Sequence, residues 1–399
     1  MEKRLLVMIL ALALLTAVFS ALPIGVSAQP TPISFQITVT SSGGVNRFFT
    51  ISSGDTLVQV VGPIYSASTT QAMLTTRETF SGSVSGDLTG SISNGAFNTI
   101  WVDIALPSMR GLTVGHATYS DSTGSIELIM VLDVEATLSG GNIVGASLKG
   151  YAFSKSATSG YFNKIVFAKL EGSLAGPNTW SFKGSGWIFD QAGCEAASFG
   201  VSGSRANNPG ETRSLTLLSG DKIMQFMATA DITLDSDAPA EFTTRQKITG
   251  TATGAISGSF ILDSNALIIT GGTYAGRGFS VARFTFTGSP DTMDGFLILD
   301  NTNYGVHNGF VIGVSGTGKF ANKIIVGSFS GTFTSPPNYY DYSGSGSVNI
   351  CSLPPPIGGE VITQYVEASS SVISPALWIF MAATIMTVTI AAAIFKKRK

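Results

Sequence analysis

Charged side chains are scarce in this chain of 399 residues: Asp, Glu, Lys and Arg together make up 12%, and the formal net charge is -2. No basic run occurs away from the two ends. Phosphate binding needs clustered Lys and Arg, so nucleic acid is excluded as a partner. Histidine is scarcer still, with only His116 and His307. A triad centred on histidine or a multi-histidine metal site is therefore poorly supplied. The G-x-S-x-G, H-E-x-x-H and phosphate-loop signatures are absent as well. We expect no catalytic residue, no metal and no cofactor. None of the asparagines begins an N-x-Ser/Thr sequon, which argues against an N-glycosylated coat. Cys194 and Cys351 are the only cysteines, too few for a fold stapled by disulfides. They either pair with each other, stay as buried thiols, or link to another chain.

The ends of the chain are distinct from its middle. Met1-Glu2-Lys3-Arg4 precedes an apolar run from Leu5 to Leu22 and the small-residue pattern Val26-Ser27-Ala28. That layout reads as a secretory signal peptide over 1–28. Residues 375–395 are apolar apart from three Thr and lead into Lys396-Lys397-Arg398-Lys399. Their length suits one transmembrane helix, and the basic cluster marks the cytoplasmic side. The expected protein sits in the cell membrane with a single pass, its N-terminal domains outside and residues 396–399 inside. Pro354-Pro355-Pro356 and Gly358-Gly359 begin a stalk over 352–374.

What the middle does contain is a duplication. "TTRETFSGSVSGDLTGS" from Thr75 returns as "TTRQKITGTATGAISGS" from Thr243. In the same order, "TISSGDTLVQV" from Thr50 returns as "TLLSGDKIMQF" from Thr216, and "RGLTVGHATYS" from Arg110 as "RGFSVARFTFT" from Arg277. Asn163-Lys164-Ile165 recurs as Asn322-Lys323-Ile324. Several colinear matches define two related units of about 160 residues. We place them at 29–196 and 197–351.

Inside each unit the hydrophobic period is two. Phe80, Gly82, Val84, Gly86, Leu88, Gly90 and Ile92 alternate with Ser, Asp and Thr, and the second copy does the same from Ile248 to Phe260. This is the pattern of half-buried strands, forming either one long bent strand or two strands with a turn near Gly86 and Gly254. No segment between the ends carries a sustained helical period. The expected fold class is all-β: two tandem antiparallel β-sandwich or barrel-like domains plus the C-terminal transmembrane helix, with a β-solenoid as the alternative.

Polar residues present in both copies are the candidates for ligand binding: Arg77 with Arg245, Arg110 with Arg277, and Asp55 with Asp221. Gln59 with Gln225 and Lys164 with Lys323 also recur. Cys194 and Cys351 each follow a Gly-Ser-Gly strand that closes its own unit, so they read as equivalent positions able to meet across a two-fold interface. Asp231, Asp235, Asp237 and Glu241 crowd one loop, which reads as solvated charge rather than a calcium site. The layout of export signal, β-repeats, stalk, helix and basic tail resembles single-pass envelope proteins of archaea and Gram-positive bacteria. That resemblance implies a non-enzymatic structural, adhesive or ligand-binding role at the cell surface, with other envelope proteins or surface glycans as partners. The alternative is a membrane-tethered hydrolase acting on extracellular polysaccharide or protein.

Overall fold

A computed structural model describes residues 29–139, 142–205, 211–334 and 340–354. The signal peptide, most of the stalk, the 375–395 helix and the 396–399 tail lie outside the described residues. Among the described residues no helix is long and apolar enough to cross a membrane. The first unit contains β1 (Thr31–Ser42), β2 (Val45–Thr50), β3 (Thr56–Leu57), β4 (Tyr65–Ser66), β5 (Gln71–Gly86) and β6 (Gly90–Val102). It continues with β7 (Ser108–Ser120), β8 (Ser125–Ser139), β9 (Asn142–Ala157), β10 (Lys164–Gly176) and β11 (Thr179–Asp190). The second repeats the series as β12 (Glu195–Arg205), β13 (Thr212–Leu217), β14 (Lys222–Ile223), β15 (Ile232–Thr233), β16 (Ala238–Gly254) and β17 (Gly258–Ile269). Its last strands are β18 (Gly278–Gly288), β19 (Asp291–Asn303), β20 (Val306–Gly316), β21 (Lys323–Thr334) and β22 (Asp341–Ser352).

Each unit is a closed barrel of eight antiparallel strands. Strand β1 pairs with β11, and it also pairs with β5, from Phe35 opposite Gly86 to Ser42 opposite Thr79. Strand β12 closes the second barrel on β22 and β16 in the same manner. Neither a two-sheet sandwich nor a solenoid is formed. The long alternating run resolves into two strands: β5 ends at Gly86 and β6 begins at Gly90, as β16 and β17 do around Gly254 and Gly258.

Alternation along each strand sorts side chains between two environments. In β1, Ile33, Phe35, Ile37 and Val39 point into the barrel while the residues between them are exposed. Glycine on the inner face lets the closing strands approach. A Cβ at Gly82 would overlap the carbonyl of Thr38, and one at Gly250 that of Ser202. With eight strands the interior is just wide enough for side chains to fill. Phe80 and Phe97 stack in the first barrel, their centroids 4.2 Å apart, and Phe199 and Phe329 stack in the second at 6.0 Å. An apolar void of about 40 Å³ remains in each barrel, far below the several hundred Å³ of a small-molecule site.

A third core lies between the barrels. It takes the outward faces of β6 to β8 and their counterparts, so Ile100, Leu112 and Val131 are as buried as the barrel interiors, as are Leu267, Phe279 and Ile298. In these strands both faces are apolar, and the burial pattern becomes continuous instead of alternating. Strands β2 and β13, the ends of the two main sheets, lie against each other here, and Phe49 of β2 stands edge-on to Phe242 of β16 at 5.7 Å.

Cys194 and Cys351 form a disulfide with Cα atoms 4.4 Å apart. Their positions are not equivalent, contrary to the sequence expectation. Cys351 lies opposite Ile324 as Phe189 lies opposite Ile165, so the counterpart of Cys351 is Phe189. Cys194 sits in the short connector between β11 and β12. The bond therefore joins the connector to the last strand of the second barrel.

Gly82→Ala should destabilise the protein by about 2 to 4 kcal/mol, because the added methyl meets backbone that cannot yield. Gly145→Ala, where nothing lies within 4 Å of the new Cβ, should stay within about 0.5 kcal/mol of the parent. Urea unfolding of both variants checks this, and equal stabilities would refute tight closure at the β1–β5 seam.

Candidate functional site

Four of the six recurring candidates come together between the barrels, and they do so crosswise. The loop from Ile51 to Thr70, between β2 and β5, carries Asp55 towards the second barrel. Arg213 on β13 grips it with a bidentate fork, Nε at 2.6 Å from Oδ2 and Nη2 at 2.9 Å from Oδ1. Arg245 donates through Nε to the carbonyl of Gly54 at 2.7 Å and lies 3.8 Å from Asp55. The mirror arrangement holds Asp221: Arg47 on β2 grips it with two bonds of 2.7 Å, and Arg77 donates to the carbonyl of Ser219. Arg77 Nε lies 3.2 Å from Asp221 Oδ1, a charge contact without hydrogen-bond geometry.

Local backbone geometry makes this reach possible. Arg77 and Arg245 have φ of 60° and 53°, the left-handed region that arginine rarely adopts. Both sit at the register shifts in the pairing of β5 with β6 and of β16 with β17, where a bulge re-aims a side chain. Gly54 and Gly220 accept the incoming guanidinium groups with φ of 85° and 81°.

Burial opposes the charge on Asp55, but the Arg213 fork, the Ser52 N–H and Arg245 outweigh it and hold the carboxyl below its ordinary range. Asp221 is likewise lowered: its burial is overcome by Arg47, the Leu218 N–H and Thr76. Both carboxylates are fully ionised at neutral pH, and each is 1% exposed or less.

Amide and carboxylate anchors complete the contact. Asn265 of the second barrel accepts from Val58 N and donates to the carbonyl of Thr56, and Asn98 of the first does the same for Met224 and Lys222. Asp133 gathers the N–H groups of Val60, Val61 and Gly62 from its own unit's loop, and Asp300 those of Phe226, Met227 and Ala228. Burial pushes the Asp133 carboxyl up to about 6 against those three donors, and it raises Asp300 in the same way.

Sequence reasoning missed Arg47, Arg213, the two asparagines and these two aspartates. Extending the repeat alignment would have found them, because each pair recurs at nearly the offset of its neighbours. Gln59 and Gln225 serve their own barrels, donating to the carbonyls of Gly111 and Gly278. Arg110 and Arg277 stay apart from the crossed pairs: Arg110 bonds Glu135 at 2.7 Å near the ring of Tyr65, and Arg277 bonds Gln225 near Tyr274. Lys164 pairs with Asp190.

The histidines differ from each other as their unmatched positions imply. His116 Nε2 lies 2.9 Å from Asp231 across the interface, and Arg283, which takes its place in the second unit, reaches the carbonyl of Gly62. His307 is enclosed inside the second barrel, where Nδ1 meets the Asn301 side-chain oxygen and Nε2 has no partner. Burial lowers it to about 4, so the ring is neutral.

The acidic loop does not converge. Asp237 accepts from Ser219 N, Asp235 from Thr273, and Asp231 turns to His116. Among the described residues no three His, Cys, Asp or Glu side chains could hold a metal together. Compared with protein-family models, curated proteins and solved structures, the chain matches none.

Asp55→Asn leaves two partly exposed arginines facing a neutral partner and should lower stability by about 1.5 to 3 kcal/mol. Combining it with Arg213→Gln should recover part of that loss, giving a coupling of about 1 to 3 kcal/mol in a double-mutant cycle read by urea unfolding. Additive effects would refute the crossed clamp. His307 binds a proton less readily when folded than when unfolded, so its contribution is intact above pH about 6.5 and is lost as pH falls towards about 4. Between pH 7 and pH 5 the parent should lose on the order of 2 kcal/mol more than His307→Gln. Parallel pH profiles would contradict this assignment.

Proposed function

We propose that this chain is a single-pass membrane protein whose two barrels form one rigid extracellular body with a structural, adhesive or ligand-binding role at the cell surface. The observation that carries the reading is the crossed Asp–Arg clamp: the recurring residues Asp55, Asp221, Arg77 and Arg245 are engaged in joining the barrels. With both interiors packed by side chains, what the body offers a partner is its outer surface. The disulfide suits an oxidising, exported location. The apolar run over 375–395 and the basic 396–399 tail suit an anchor that leaves the barrels outside.

Arg110 and Arg277 are the recurring cations we assign to partner contact. Each sits at or beside the start of an equivalent strand, with Arg110 38% exposed at its side chain. The partner is another envelope protein or a surface glycan carrying acidic groups.

The full-length chain expressed in cells should sediment with membranes, and protease added from outside should remove the barrels. The purified protein should retain cell-envelope material, and Arg110→Ala with Arg277→Ala should weaken retention several-fold in a protein that still unfolds cooperatively on heating. A cytosolic chain, or a membrane-bound monomer indifferent to envelope material, would defeat the proposal.

A further inference from the structure

The second barrel is entered and left at one point. Its first strand, β12, and its last, β22, are neighbours, with Glu195 opposite Ile350. One residue further out on each strand, Cys194 and Cys351 are bonded. Tension between the chain before 194 and the chain after 351 would open this pair as a zipper. In that direction each ladder hydrogen bond bears the whole load in turn, which is the weakest way to stress a sheet. The disulfide lies outboard of those bonds, so it takes the load before any of them. Cys351 is the last residue but one of β22, and the chain runs on through Leu353 and Pro354 towards the stalk.

The first barrel has the same zipper geometry without the bond. Strand β1 meets β11 with Thr31 opposite Ile188, and the corresponding outboard residues are Pro30 and Phe189. The two units are alike in fold and differ at this one covalent closure, which falls on the unit next to the stalk.

We propose that the Cys194–Cys351 disulfide is a mechanical clasp: tension between the C-terminal stalk and the first barrel crosses the sulfur–sulfur bond and bypasses the second barrel. The first barrel is then the element that tension opens, and the second bears none of that tension. Its purpose rests on the membrane-anchored reading above, since an anchor is what places the chain under tension. The clasp itself is independent of that reading.

The full chain is pulled by handles at its two ends in an optical trap. Without reductant, the total extension should fall short of the fully unfolded length by the span between the cysteines. They are 157 residues apart in sequence, which is about 500 Å at roughly 3.3 Å per residue. Adding dithiothreitol to the tethered, folded protein should release that length, and so should Cys194→Ser with Cys351→Ser. Full extension without reductant would overturn the clasp. Reduction that leaves the extension unchanged would also overturn it. Where the serine variant fails to fold, reduction of the folded parent gives the same comparison. Failure of the anchored reading shows separately, as a chain that does not sediment with membranes, and it leaves the extension data unchanged.

Discussion

Two buried carboxylates organise this molecule. Asp55 and Asp221 could not be carried out of water alone, since an unpaired buried charge costs several kcal/mol. Each is made tolerable by a guanidinium fork from the opposite unit. Neither barrel therefore completes its own surface. The loops that carry the aspartates are held by their own barrels through Asp133 and Asp300 and by the opposite barrels through Asn265 and Asn98. Removing one unit would leave the other with an exposed apolar face and a buried acid without its counter-charge.

That dependence explains where unusual backbone is found. Arginine with positive φ is strained, yet it occurs at both Arg77 and Arg245. The strain buys reach: a regular strand would aim these side chains along its own surface, and the bulge turns them towards Ser219 and Gly54 of the other unit. Gly54 and Gly220 are then constrained from both directions, by their own φ and by the guanidinium that occupies the space a Cβ would need.

Much of the fold could be read from the sequence. The two-residue period located the strands, and glycine marked the turns that end β5 and β16. Closure could not be read, because a sandwich and a barrel show the same alternation, and they differ only in whether β1 finds β5 as well as β11. The third core was hidden for a related reason. Strands buried on both faces, such as β6 with Phe97, Ile100 and Trp101, look like ordinary apolar runs. At the clamp, Asp55 was visible as a recurring residue but followed Ser-Gly, which reads as turn chemistry. Its partner, Arg213, lies in another unit and has no local signature. The cysteines show a subtler limit. Both follow a Gly-Ser-Gly strand, but strand register places Cys351 five residues short of where Cys194 would fall in its own unit, so proximity along the chain was mistaken for equivalence.

The crossed contacts have the form of an isologous interface, in which residue i of one unit meets residue j of the other and j meets i. Such an interface would hold a homodimer of single units equally well. Fusing the units makes the encounter intramolecular, so the clamp no longer depends on protomer concentration. Fusion also frees the copies to differ wherever the symmetric contacts are not at stake. His116 and Arg283 reach the opposite loop by different chemistry, and Asp103, held by Tyr65, Ser68 and Thr69, gives way to Thr270 in the second unit. The disulfide belongs to one barrel only. Asymmetry of this kind is unavailable to a true homodimer, whose two copies must share every residue, and here the Asp–Arg clamp stays matched while contacts beside it differ. What the duplication has preserved is the central means of joining two barrels, and what it has released to change is the set of contacts around it.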